Sequence, residues 1–164
     1  MKAWQVQDWC NAADMKLADV PMPEPGPAQA LVKVHTAALN FFDNLMIGGK
    51  YQVKPPFPFI PGCEIAGEVV AAGPESDFKP GDLVASQPDW GAFAEYCLVD
   101  NAPSNKVPAG IALEEAAAIP VVYPTAHVAL QRRGQLQPGE FVLVSAAAGG
   151  VGLAAIQLAK AWGG

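Results

Sequence analysis

The chain has 164 residues, 51% of them hydrophobic and 16% charged, with a formal net charge of −6 at pH 7. The apolar fraction is ample for a packed core and excludes a disordered chain, while ten Lys and Arg leave too little positive charge for a nucleic-acid surface. No apolar run approaches the roughly 18–20 residues of a membrane span, and MKAWQVQDWC lacks the apolar stretch of a signal peptide. A soluble cytoplasmic protein is expected, with no nucleic-acid partner and no membrane partner.

Up to about residue 107 the chain reads as short strands separated by Pro and Gly. PMPEPGP at 21–27 reads as an extended connection between two strands. In ALVKVHTAA at 30–38, Val32 and Val34 alternate with Lys33 and His35, the period of a half-buried strand. EIAGEVVA at 64–71 repeats the pattern, with Gly67 where a sheet bends sharply. FKPGDLVAS at 78–86 is a Pro-Gly turn feeding a strand, and GAFAEYCLV at 91–99 alternates again. Such spacing predicts a small barrel or sandwich. Cys10, Cys63 and Cys97 form no CxxC pair, so they are expected as buried small hydrophobes rather than as a disulfide framework or a structural zinc site.

After Pro108 the texture changes. IALEEAAAI at 111–119 and PTAHVALQRR at 124–133 read as helices, the second tolerating Pro124 in its first turn and ending in two arginines. Gln137-Pro138-Gly139 turns the chain into FVLVS at 141–145, apolar throughout like a central parallel strand buried on both faces. Ala146-Ala147-Ala148-Gly149-Gly150-Val151-Gly152 follows and leads into the helix LAAIQLAKAW. Glycines at 149, 150 and 152 let the backbone turn tightly and let a pyrophosphate reach the first-turn amides, where the helix dipole favours negative charge. The spacing is AxxGxxG, with alanine at the first glycine position of the commonest dinucleotide fingerprint. Ala148, Gly149, Gly150, Val151 and Gly152 are the candidate phosphate-binding residues.

An ordered series of stretches now resembles the medium-chain dehydrogenase/reductase superfamily, in its zinc-independent quinone oxidoreductase-like branch. They are ALNFFDNLMIGGKY at 38–51, PFIPGCEIAGEVVAAG at 58–73, FKPGDLVA at 78–85, GAFAEY at 91–96, AAAIP at 116–120 and LQPGEFVLVSAAAGGVGLAAIQLAKA at 136–161. The resemblance implies a mainly β plus α/β chain. A GroES-like β-barrel domain at 1–120 carries substrate and catalysis, and a connecting helix with the first βα unit of a truncated Rossmann fold follows at 121–164. It further implies NADPH as hydride donor, a quinone or α,β-unsaturated carbonyl as small-molecule acceptor, and a homodimer.

Zinc-dependent relatives carry cysteine where this chain has Asn40, and His before the glutamate where it has Cys63-Glu64. His35 and His127 fall at no matching position, so no metal and no zinc are expected. Asn40 is the first catalytic candidate, its amide suited to a nicotinamide carboxamide or a substrate carbonyl; an Asn before a helix is equally an N-cap. Asp43 falls near the pocket in relatives, and a helix-start role suits it as well. Tyr51 matches a substrate-site tyrosine of related enoyl reductases, where a phenol can hydrogen-bond or protonate an enolate; packing at the domain edge is its other reading. Thr125 matches the stretch that approaches the nicotinamide, whereas Tyr123 and His127 are read as packing residues.

The ribose of a dinucleotide is normally read about twenty residues beyond the glycines, so NADPH and NADH are not distinguished by these residues. The expectation is an NAD(P)H-dependent reductase of which this chain covers part, with weak or absent cofactor binding by the chain alone. The alternative is a non-catalytic GroES-like module that binds or oligomerises.

Overall fold

The computed structural model describes residues 1–164. The chain forms two compact units, Met1–Ala117 and Ala118–Gly164, and no helix in either is long and apolar enough to cross a membrane.

The first unit contains two antiparallel sheets. Strands β1 (Lys2–Gln5) and β2 (Lys16–Asp19) form a hairpin that the sequence pattern did not announce. PMPEPGP then runs from β2 to β3 (Gln29–Ala37), as expected for an extended proline-rich link. With β4 (Ile65–Ala72), β5 (Leu83–Ser86), β6 (Tyr96–Asp100) and β7 (Ser104–Lys106), β3 builds a five-stranded sheet in the order β6-β3-β4-β5-β7. Every pairing is antiparallel. The result is a curled half-barrel, the GroES-like architecture expected from the resemblance.

The alternation seen in the sequence becomes the core. Val32, Ile65, Val69, Val84 and Val99 are fully buried and pack in one cluster with Phe78 and Cys97. Curvature is concentrated in the β3–β4 pair, whose register shifts between Leu31 and Val32 and again between Val34 and Thr36. Gly67 pairs with Val34 beside the second shift. A Cβ there would lie 2.1 Å from the Lys33 carbonyl oxygen, so only glycine allows the two strands this approach. A second cluster, Val6, Met46, Ile47, Phe59 and Cys63, seats helix α1 (Phe41–Ile47) on the unit. The three cysteines are free; Cys63 and Cys97 are buried as expected, and Cys10 is half-buried.

Helix α2 (Leu113–Ala116) is a single turn, shorter than the 111–119 expected. Ala116 and Ala117 bury against Ala66 of β4.

In the second unit, α3 (Val122–His127) continues into a π-helical segment, Val128–Arg133, so the expected helix begins before Pro124 and changes winding midway. Helix α4 (Gly150–Ala161) packs on it through Ala126, Ala154 and Ala155, with Val122, Leu130 and Leu158 around them. The expected strand 141–145 is not formed. A strand exists only against a hydrogen-bonding neighbour, and Ala118–Gly164 contains no other strand. Val144 joins the α3–α4 cluster, while Phe141 and Leu143 are fully exposed.

Candidate functional site

Asn40 sits at the N-cap of α1 with extended backbone, so the capping position read from the sequence is real. Its backbone N–H donates to Asp43 Oδ2 at 2.7 Å. Its side-chain Nδ2 donates to Glu64 Oε2 at 2.9 Å. Glu64 immediately precedes β4, and its carbonyl accepts the Ala38 N–H at 3.0 Å. The segment leading into α1 is therefore tied to the segment leading into β4 by main chain and side chain together. The 24-residue separation hid this contact from a sequence reading.

Asp43 is buried at 4% exposure, and its Oδ1 has no hydrogen-bond partner. Burial pushes its carboxyl above the usual carboxylate range, with the Asn40 N–H pulling the other way. Cys63 lies beside it and donates its thiol to the Asp89 carbonyl at 3.1 Å. Burial, reinforced by the negative charges of Asp43 and Asp89, pushes the Cys63 thiol up to about 12. Asn40, Asp43, Cys63 and Glu64 are thus one polar cluster. Sequence reasoning weighed Cys63 as a buried small hydrophobe and, with Glu64, as a zinc ligand. The available signal was an acidic residue opening an apolar strand, since such a residue is almost never buried without a partner.

Tyr51 is half-buried and stacks on Phe42 of α1, ring centroids 5.4 Å apart and 24° from parallel. The ring packs as its second reading required, in the cluster that includes Met46 and Phe59. A groove of about 570 Å³ lies nearby, lined by Trp4, Leu17, Val34, His35, Leu39 and Phe93 among others. Leu39, next to Asn40, lines it, whereas Asn40, Asp43 and Tyr51 do not.

In the second unit, Ala148, Gly149, Gly150 and Val151 form an exposed turn into α4, and Gly152 is buried beneath it. A Cβ on Gly152 would meet the Ala146 oxygen at 2.5 Å and the Ala147 Cα at 2.9 Å. The third glycine thus brings the helix close against the preceding turn, the part it plays in a dinucleotide-binding fingerprint. The exposed residues at the start of a 12-residue helix fit a pyrophosphate. Thr125 is exposed on α3, where its hydroxyl donates to the Val121 carbonyl at 2.7 Å and keeps its lone pairs free to accept. Tyr123 instead hydrogen-bonds Gln157 of α4, and His127 packs edge-on against Trp162.

Residues 26–109 match the alcohol dehydrogenase GroES-like domain. The chain is 45% identical over 139 residues to quinone oxidoreductase-like protein 2 of Rattus norvegicus, covering 84% of this chain and 40% of that protein. It is 39% identical over 166 residues to the quinone oxidoreductase of Homo sapiens, covering 99% of this chain and 50% of that one. Among solved structures it is similar to the quinone oxidoreductase from Thermus thermophilus, whose crystal structures include a complex with NADPH. There the TM-score is 0.87 at 39% identity, over 99% of this chain and 51% of that one. The chain spans half or slightly less of the curated relatives it matches. It belongs to the medium-chain dehydrogenase/reductase superfamily, in the quinone oxidoreductase-like branch.

Proposed function

We propose that this chain contributes the GroES-like domain and the glycine turn of an NADPH-dependent oxidoreductase that reduces a quinone or an α,β-unsaturated carbonyl. The observation that carries the reading is the turn Ala148–Gly152, exposed at residues 148–151 and closed by a glycine that no other residue could replace without overlap. Bound there, the cofactor supplies a hydride. The chain's own contribution is electrostatic and positional. In the second unit the α4 amides hold the pyrophosphate and the Thr125 hydroxyl, its proton engaged by Val121, accepts from a carboxamide. In the first unit the Asn40 amide offers hydrogen bonds to a carboxamide or an acceptor carbonyl. Asp43 holds the Asn40 backbone. The Tyr51 phenol hydrogen-bonds the acceptor oxygen as negative charge builds on it, or protonates it. A conjugated acceptor spreads that charge through its own carbonyl, so the reading invokes no metal.

The test is a titration of NADPH into the 15N-labelled chain. Amide resonances of Gly149 to Leu153 are expected to shift, even if the binding is weak, and nicotinamide riboside, which lacks the pyrophosphate, should leave them in place. An unmoved turn at millimolar NADPH would overturn the proposal and favour a non-catalytic binding module.

A further inference from the structure

We propose that Glu64 is a positioning residue that fixes the polarity of the Asn40 amide. The idea rests on the reading of Asn40 given under the proposed function, but its own test needs neither cofactor nor turnover.

Glu64 is 2% exposed. A carboxylate so placed is retained only where its charge is met by donors, and Asn40 Nδ2 is one of them at 2.9 Å. The geometry is restrained from three directions. The Asn40 backbone N–H is held by Asp43 Oδ2 at 2.7 Å, the Ala38 N–H is held by the Glu64 carbonyl at 3.0 Å, and α1 begins at the next residue. An Asn side chain has two nearly isosteric ends, one donating and one accepting, and packing alone discriminates poorly between them. A carboxylate removes that ambiguity for as long as it is ionised, because it then only accepts. The nitrogen end of Asn40 must face Glu64, and the oxygen end must face elsewhere. One Nδ2 hydrogen is consumed and Oδ1 is turned toward the Asp43 N–H in the α1 capping box, so the second Nδ2 hydrogen and the remaining Oδ1 lone pair keep a fixed arrangement for a ligand. A cofactor carboxamide or an acceptor carbonyl therefore meets one pattern of donor and acceptor rather than two interchanging ones.

Glu64→Gln preserves volume and removes the rule, since a glutamine at this position could donate to Asn40 Oδ1 as readily as accept from Nδ2. The measurement is the side-chain amide pair of Asn40 in 15N spectra. In the parent chain one Nδ2 hydrogen should exchange about tenfold to a hundredfold more slowly than in a free side chain, as a hydrogen bond to a charged acceptor implies. In Glu64→Gln that protection should fall at least about tenfold, or the pair should split into two sets, with the backbone resonances of β4 and α1 unchanged. A structural role alone would not alter this one signal while sparing its surroundings. An Asn40 pair with the same shift and exchange in Glu64→Gln overturns the proposal. Should Glu64→Gln fail to fold, the parent chain decides: nuclear Overhauser contacts between the Asn40 Nδ2 hydrogens and the Glu64 side chain support the proposal, and their absence refutes it. Failure of NADPH to shift the glycine turn would overturn the proposed function and leave this result standing.

Discussion

Gly152→Ala separates a glycine required by close approach from one that is merely tolerated. Alanine is the better helix former by about 1 kcal/mol in a helix interior, and the gain is smaller in a first turn. Against this stands the overlap: the new Cβ would sit 2.5 Å from the Ala146 oxygen, 2.9 Å from the Ala147 Cα and 3.0 Å from its carbonyl carbon. All three are main-chain atoms, so no side-chain rotation relieves the contact. The cost should reach the upper part of the usual range for overpacking, about 3 kcal/mol. The net loss is then about 2 kcal/mol, or roughly a thirtyfold rise in the open population of α4. Gly150→Ala is the control, because its Cβ would meet only side-chain atoms of Val122, the nearer at 3.0 Å, and its effect should stay within about 0.5 kcal/mol. The assay is amide hydrogen exchange across residues 153–161 read by mass spectrometry, which reports on α4 alone. Unchanged or slower exchange in Gly152→Ala would refute the argument that the helix is held against this turn by the missing side chain.

Four further outcomes are expected. Gly67→Ala should cost about 4 kcal/mol or more and leave the half-barrel unfolded by circular dichroism, since its Cβ would stand 2.1 Å from the Lys33 oxygen. With their thiols pushed up to about 12, Cys63 and Cys97 should resist iodoacetamide at about pH 8 until denaturant is added, and Cys10 should label first by mass. Asp43 has its folded pKa raised from 3.8, so its contribution is fully present below that value and is lost as pH rises through the folded one. Urea midpoints of Asp43→Asn should therefore gain on the parent chain with rising pH, and parallel curves would contradict the assignment. In any form that turns over, Tyr51→Phe should lower NADPH-dependent quinone reduction by about a hundredfold with cofactor affinity unchanged; an equal rate would remove the phenol from the chemistry.

What could be read in the residues follows from how local each cause is. Strands β3 and β4 were visible because one face of each is buried in Val32, Ile65 and Val69, and burial on one face writes a period of two into the sequence. The hairpin β1–β2 was not, because its residues are mostly exposed and carry no such period. The α4 turn was legible because glycine spacing reflects main-chain contacts a few residues apart, as between Gly152 and Ala146.

FVLVS and Glu64 show the two ways in which locality fails. Apolar composition records the environment a segment is suited to, whereas a ladder also needs a partner, and Phe141 and Leu143 stand fully exposed without one. Glu64 is the reverse case, a buried acidic residue that meets Asn40, 24 positions away. Asn40 itself shows why its two readings were never exclusive. Its main chain caps a helix with the help of Asp43, and its side chain is turned by Glu64. A cap fixes the residue's backbone and a carboxylate fixes its amide, and an amide fixed at both levels is what recognition of a carboxamide or a carbonyl requires.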